Sequence, residues 1–286
     1  MAKYLLNNFI VREFVKEALK EDIGYGDITT DYVCSYLRGD ETFEVNLKTR
    51  VDGIFCGRDV FKTVFDVLSD NEVEVEFFVS DGDKIKKDDI LAKIKGNPRY
   101  ILTGERLALN FVQRMSAIAT YTKKFVDIVE AYGVSMADTR KNTPNFRMFE
   151  KYAAKIGGAR LHRFNLCDCV MLKDNHIALL GGDIKKAVNM VRKENSHAHK
   201  IEVECDKIEQ VKEALEAEAD IIMLDNMNLD EIKKCVQLID KKAIVEISGN
   251  VTLETLPELA KTGVDIISSS SIITKAGTLD LGFDYL

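Results

Sequence analysis

Residues 201–249 read IEVECDKIEQVKEALEAEADIIMLDNMNLDEIKKCVQLIDKKAIVEISG. Three apolar runs stand out, IEVE at 201–204, DIIML at 220–224 and AIVEI at 243–247. Stretches with the 3.6-residue apolar period of amphipathic helices separate them. Asp206 with Glu209, and Asn228 with Glu231, have the spacing of capping boxes at helix starts. Alternation of short strands with helices means parallel strands. Each run ends in polar residues: Glu204, then Asp225-Asn226, then Ser248-Gly249-Asn250.

The same rhythm extends in both directions. Upstream, VSMA precedes Asp138-Thr139-Arg140-Lys141, and VML precedes Lys173-Asp174-Asn175-His176. Downstream, VDII precedes Ser268 to Ser271. The anchors 139, 173, 204, 225, 248 and 269 are 34, 31, 21, 23 and 21 residues apart. In an open doubly wound sheet only the strand ends at the switch point meet a ligand. Here nearly every strand end is polar, and a barrel brings all of them to one face. Six clear units predict an incomplete α/β barrel with parallel strands.

The first part of the chain has a different texture. Ile10, Phe14, Val15, Ala18 and Leu19 have helical spacing and Gly24 breaks it. Phe43, Val45 and Leu47 alternate with polar neighbours, as do Val73, Val75 and Phe77. Residues 1–96 therefore read as a small mixed layer with antiparallel strands. Asn97-Pro98 opens a helical stretch over 99–131, expected to break near Met115–Ala117 because uncapped helices of that length are unusual.

Composition bounds the function. The chain has 286 residues, 40 Lys+Arg against 47 Asp+Glu, and a formal net charge of -7. That balance disfavours a general nucleic-acid or membrane-surface binder. No apolar run approaches 18 residues, and no small-residue cleavage site follows the N-terminal helix, so neither a membrane span nor a signal peptide is expected. Six scattered cysteines suit reduced cytoplasmic thiols, and Cys167-Asp-Cys169 lacks a second ligand pair for zinc.

The strand ends carry the chemistry. The early clusters are cationic: Arg140 and Lys141, then His162 and Arg163, then Lys173, with Arg106 in the long helix as an addition. Such a density within an acidic chain predicts an anionic ligand, gripped by planar Arg forks and Lys point charges. Glu204 and Asp225 end apolar strands, where a carboxylate is costly to hold; they suit Mg²⁺ or ribose hydroxyls. Ser248-Gly249-Asn250 and Ser269-Ser270-Ser271 offer backbone N–H groups to phosphate. The series suits a dianionic acid meeting a phosphorylated sugar.

ThrArgLys at 139–141, GlyGlyAlaArgLeuHisArg at 157–163, LysAspAsnHis at 173–176, GluValGlu at 202–204, LeuAspAsn at 224–226 and GluIleSerGly at 246–249 together resemble the quinolinate phosphoribosyltransferase family. GluAspIleGlyTyrGlyAspIleThrThr at 21–30 and GlyGluArgLeuAlaLeuAsnPheValGlnArgMetSer at 104–116 extend the likeness over nearly the whole chain. The resemblance implies an N-terminal open α/β sandwich over 1–115, joined by the tail 275–286, and an incomplete barrel over 116–274 carrying the active site. It implies quinolinate and phosphoribosyl pyrophosphate as substrates, Mg²⁺ as cofactor, and a homodimer in which Arg106 crosses the interface. Arg140, His162, Arg163 and Lys173 would hold quinolinate beside Thr139, with Lys141 near both substrates. Glu204 and Asp225 would serve ribose and Mg²⁺; Ser248, Gly249, Asn250 and Ser269–Ser271 would hold phosphate.

Two positions depart from the family pattern. Asn250 stands where many relatives have a second Gly, and Ser269-Ser270-Ser271 where many have Val-Gly-Ala. A backbone cradle survives both changes if φ stays negative. The rival readings are the related phosphoribosyltransferase-like protein of molybdate transport operons, a barrel aldolase or decarboxylase with Lys173 as nucleophile, and an anion-sensing module.

Overall fold

The computed structural model describes residues 6–38 and 41–285. The outermost residues of the expected first domain and Leu286 of the expected tail lie outside the described residues. The chain divides into two compact units. The first holds residues up to Thr122, Thr143–Gly157 and the segment from Lys275; the second holds Lys123–Asn142 and Gly158–Thr274.

In the first unit, α1 (Asn8–Ile23) is capped by the Asn7 side chain, which accepts from the Phe9 N–H, and stops at Gly24. Its buried stripe is Val11, Val15 and Leu19, whereas Ile10 of the expected stripe is exposed. Then come α2 (Ile28–Cys34), β1 (Phe43–Thr49), β2 (Gly53–Ile54), α3 (Arg58–Leu68), β3 (Glu74–Phe77), β4 (Lys84–Ile85) and β5 (Ile90–Gly96). The tail adds β12 (Leu281–Tyr285), which lies antiparallel to β1, giving the sheet order β12-β1-β5-β3. β2 and β4 pair separately.

The long helix α4 (Pro98–Glu130) runs 33 residues without the expected break. Met115, Ser116, Ala117, Ile118 and Ala119 are all buried, and Ser116 Oγ accepts from the Cys56 N–H at 3.0 Å. Burial on that face keeps the helix continuous where a sequence rule about length predicts an interruption.

The second unit carries β6 (Ser135–Ala137), β7 (Val170–Leu172), α6 (Asp174–Leu179), α7 (Ile184–Glu194), β8 (Ile201–Cys205), α8 (Ile208–Glu216), β9 (Ile221–Asp225), α9 (Leu229–Ile239), β10 (Ile244–Ser248), α10 (Leu256–Ala260), β11 (Ile266–Ser268) and α11 (Ser271–Thr274). The six strands are parallel, in the order β6-β11-β10-β9-β8-β7. The first strand in sequence thus pairs with the last, so the sheet curls round. A single parallel bridge from Ala137 to Arg160 extends the far edge. This is the incomplete α/β barrel, and the antiparallel sheet belongs to the first unit. Asn228 caps α9 through the Asp230 and Glu231 N–H groups, as its spacing predicts. At α8 it is Gln210, not Glu209, whose side chain accepts from Asp206 and Lys207 N–H.

Residues 116–122 and α5 (Arg147–Ile156) group with the first unit. Aromatic packing explains it: the Phe149 ring lies 4.9 Å from Phe14, 5.1 Å from Phe111 and 4.8 Å from Phe146. Gly157 then lets the end of α5 meet α4, since a Cβ there would stand 2.6 Å from the Ala119 carbonyl. No helix among the described residues is long and apolar enough to cross a membrane.

One fully buried carboxylate, Glu150, ties this packing together. It accepts from Arg114 Nη2 at 2.8 Å and from the Thr143 N–H and Oγ1, each at 2.9 Å. Glu150→Ala leaves the Arg114 charge without its buried partner, and a loss of about 3–5 kcal/mol is expected. The shift in urea midpoint at unchanged m-value measures it.

Candidate active site

The C-terminal ends of parallel strands point to one side, and here they enclose a cavity of about 580 Å³. Its walls are Thr139, Arg140 and Lys141 after β6, His162 and Arg163 after the bridge, Met171 and Lys173 at β7, and Glu204 of β8. Met223, Asp225 and Asn226 at β9, Ser248, Gly249 and Asn250 at β10, and Ser268 of β11 complete them. All belong to the second unit.

The cationic groups are held by their own strands. Arg163 Nη1 donates to the Cys169 carbonyl at 2.9 Å, which aims the guanidinium before any ligand arrives. Lys173 Nζ lies 2.5 Å from Glu204 Oε2 and is only partly exposed. Arg140, Lys141, Arg163 and Lys173 outnumber Glu204 and Asp225 on these walls, so the cavity favours an anion inside an acidic chain.

Burial, then the Glu204 charge, push the Asp225 carboxyl above its ordinary value; Asn226, Lys173 and Lys141 oppose that rise. Asn226 Nδ2 donates to Asp225 Oδ2 at 2.7 Å, and Asn250 Nδ2 donates to Asn226 Oδ1 at 3.2 Å. This corner is tight. Asn226, Gly249 and Asn250 have φ of 55, 90 and 50 degrees. A Cβ on Gly249 would sit 2.2 Å from Asn226 Oδ1. The condition of negative φ is not met at Asn250: the position is left-handed, a region Gly adopts freely and Asn better than most side chains. The exchange of a Gly for Asn250 thus keeps the backbone path.

Three expected phosphate groups lie elsewhere. Ser269, Ser270 and Ser271 are absent from the cavity walls. Ser269 Oγ and Ser271 Oγ are 2.6 Å apart and buried, and Ser269 Oγ accepts from the Ser271 N–H at the start of α11. Ser268 is the serine of this strand end that lines the walls, and its Oγ donates to the Ile247 carbonyl at 3.3 Å. Arg106 is exposed in α4 and belongs to the first unit. His162 stands at the wall, but its ring nitrogens are engaged: Nδ1 accepts from the Arg163 N–H at 2.7 Å, and Nε2 faces Glu202 Oε2 at 3.2 Å.

Sequence reasoning passed over Met171 and Met223 as wall residues, and placed Asn226 and Ser268 at converging strand ends without giving either a role. It also passed over Asp138, whose Oδ1 accepts from the His162 N–H at 2.8 Å, and the buried Glu202 and Glu246. Period-two alternation carried the signal for the last two, since Glu202 shares a strand face with Glu204 and Glu246 with Ser248.

Comparison with known proteins agrees with this geometry. Family models described as the N-terminal and C-terminal domains of quinolinate phosphoribosyl transferase match residues 27–116 and 118–284. The chain is 37% identical over 279 residues to the "Probable nicotinate-nucleotide pyrophosphorylase (carboxylating)" of Bacillus subtilis, covering 98% of this chain and 94% of that one. With its counterpart in Synechocystis sp. it shares 40% identity over 275 residues, 95% and 91% of the two chains. The solved nicotinate-nucleotide pyrophosphorylase of Francisella tularensis superposes with a TM-score of 0.91 at 37% identity, over 98% and 97% of the chains.

The raised Asp225 carboxyl sets a stability test. A carboxyl raised on folding contributes stability at low pH that is lost as pH rises through the folded value. Asp225→Asn keeps an acceptor for Asn226 and removes the charge. Its Tm without ligand is expected to exceed that of the unsubstituted chain, by a margin that widens from acid to neutral pH. Calorimetry across pH measures it; a lower Tm at neutral pH contradicts this account of the corner.

Proposed function

Because the chain belongs to the quinolinate phosphoribosyltransferase family, we infer that it transfers the phosphoribosyl group of phosphoribosyl pyrophosphate to quinolinate with loss of CO₂. The products are nicotinate mononucleotide and pyrophosphate. The observation that carries this reading is the single cavity in which Arg140, Lys141, Arg163 and Lys173 meet Glu204, Asp225 and the Ser248-Gly249 turn.

Residue roles follow from charge. Arg140, Arg163 and Lys173 grip the two carboxylates of quinolinate. Lys141, after β6, serves both substrates. The ring nitrogen displaces pyrophosphate at the anomeric carbon, and positive charge grows on the ribose, which Glu204 and Asp225 favour electrostatically. The ring nitrogen is then cationic. The bond to the C2 carboxylate breaks, CO₂ departs, and the electron pair left beside that nitrogen takes a proton from solvent. The Ser248-Gly249 backbone and the Asn250 amide receive phosphate.

Glu204 and Asp225 suit Mg²⁺: they are hard oxygen donors, and the Asp225 carboxyl is raised by burial and then by the Glu204 charge, both of which a cation relieves. When bound, the ion would supply charge neutralisation to pyrophosphate. A homodimer with Arg106 completing the partner's site is supported by the exposed apolar side chains of Ile28 and Tyr32, four residues apart on α2, and of Tyr36 just past its end. Six unpaired cysteines support a cytoplasmic setting.

The test is one assay of the purified chain with quinolinate, phosphoribosyl pyrophosphate and Mg²⁺, scored for CO₂ and nicotinate mononucleotide, with nicotinate in parallel. Turnover on quinolinate alone is expected. Arg140→Ala and Arg163→Ala should each raise the quinolinate KM by about 10-fold or more, as loss of a charged hydrogen bond implies. Wild-type quinolinate affinity in both variants overturns the clamp.

A further inference from the structure

The corner between β9 and β10 holds side-chain contacts that the transfer chemistry above leaves unused. Asp225 Oδ2 accepts from Asn226 Nδ2 at 2.7 Å, and Asn226 Oδ1 accepts from Asn250 Nδ2 at 3.2 Å. A carboxylate only accepts, so the amide nitrogen of Asn226 faces Asp225 and its oxygen faces away. Asn250 supplies the donor on that far side. The contacts continue beyond it. The Asn250 carbonyl accepts from Thr255 Oγ1 at 3.1 Å, and Thr255 Oγ1 accepts from the Thr252 N–H at 3.0 Å. Thr255 directly precedes α10. The relay therefore runs from a helix start, through Asn250 at the end of the Ser248–Asn250 turn, to the carboxylate that ends β9.

The backbone is shaped to admit it. The place of a Cβ on Gly249 is taken by Asn226 Oδ1, 2.2 Å away. The Asn226 N–H donates to the Ser248 carbonyl at 3.1 Å, so a backbone contact joins the same two turns. Among the described residues Asn226 Nδ2 is the one hydrogen-bond donor to the Asp225 carboxylate. The last torsion of an Asn side chain is broad, so a single hydrogen bond leaves the amide plane free to swing. Bonds at both ends fix it. With the plane fixed, one Asp225 oxygen is occupied and the other is left for a ligand in the cavity that Asp225 lines.

We propose that Asn226 and Asn250 are positioning residues that hold the phosphate-receiving turn and the Asp225 carboxylate as one unit, so that the two ends of a phosphorylated ribose meet groups already in register. The role rests on the phosphoribosyl reading above; the relay of side-chain contacts does not. A phosphorylated sugar needs both groups at once, and groups set in advance need no rearrangement when charge develops on the ribose. The rival role for Asn250 is a direct side-chain contact with phosphate, made independently of Asn226.

A double-substitution cycle separates the two. Gly is the replacement at both positions, because it adopts their left-handed backbone without strain. Both residues are exposed, so neither change opens the core. Affinity for phosphoribosyl pyrophosphate is read by calorimetric titration with Mg²⁺ present and quinolinate absent. Asn250→Gly should weaken it about 5-fold, as loss of one neutral hydrogen bond implies. Asn226→Gly, which removes the donor to the carboxylate, should weaken it about 20-fold. With Asn226→Gly already in place, Asn250→Gly should weaken it no further. The quinolinate KM at saturating phosphoribosyl pyrophosphate should keep its wild-type value in all three variants. An equal loss from Asn250→Gly in both backgrounds assigns the side chain to phosphate and overturns the relay. Wild-type affinity in Asn250→Gly, or a quinolinate KM that rises in step, overturns it too. The contact is also read without substrate. The side-chain ¹⁵N–¹H signals of Asn226, assigned by their loss in Asn226→Gly, should shift in Asn250→Gly; unshifted signals overturn the contact. A wild-type chain that neither binds phosphoribosyl pyrophosphate nor turns over quinolinate sinks the functional reading, and the amide signals still decide the relay.

Discussion

In a parallel sheet all strands finish on the same side, and polar residues placed just past those ends have only one another, water and a ligand for company. β6 to β11 obey this constraint, and the site depends on it. Lys173 meets Glu204 across 2.5 Å because β7 and β8 pair in register, Leu172 beside Val203. Asp225 stands beside Ser248 because β9 and β10 pair as they do. A slip of one residue in either pair would turn these groups to the outer face, toward the helices.

The same constraint sets the cost of the site. Polar groups that converge also desolvate and repel one another. The raised Asp225 carboxyl, the crowded left-handed corner at Asn226, Gly249 and Asn250, and the acid pair beneath His162 are three expressions of it. Each trades stability for preorganisation, as working sites commonly do. The apolar surroundings carry that cost: Val203, Ile222, Leu224 and Ile247 are buried on their strands, and they belong to the runs that identify those strands in sequence.

What could be read from the chain divides along a physical line. Apolar runs and the polar residues ending them gave all six parallel strands and most of the cavity walls, because burial and alternation are local properties. Direction was not legible. Nothing in Ser268 to Ser271 says that Ser268 turns to the cavity while Ser269 and Ser271 bond each other at a helix start. Nothing in the 33 residues of α4 says that burial keeps them continuous. The placement of α5 depends on ring contacts from Phe14 to Phe149, separated by 135 positions, which no window of sequence contains. The surroundings of His162 are the sharpest case: its residue type says nothing of the Arg163 N–H at Nδ1 or of Glu202 and Glu246 facing Nε2.

The cavity's charge has two demands to meet. A diacid must be held firmly enough to bind, yet one carboxylate must later depart as neutral CO₂. Spreading positive charge evenly would satisfy the first demand and oppose the second. The chain places fixed cations on Arg140, Lys141, Arg163 and Lys173 and sets the Glu204 carboxylate 2.5 Å from the last of them. Part of the positive charge is thereby offset within the site itself, by Glu204 beside Lys173.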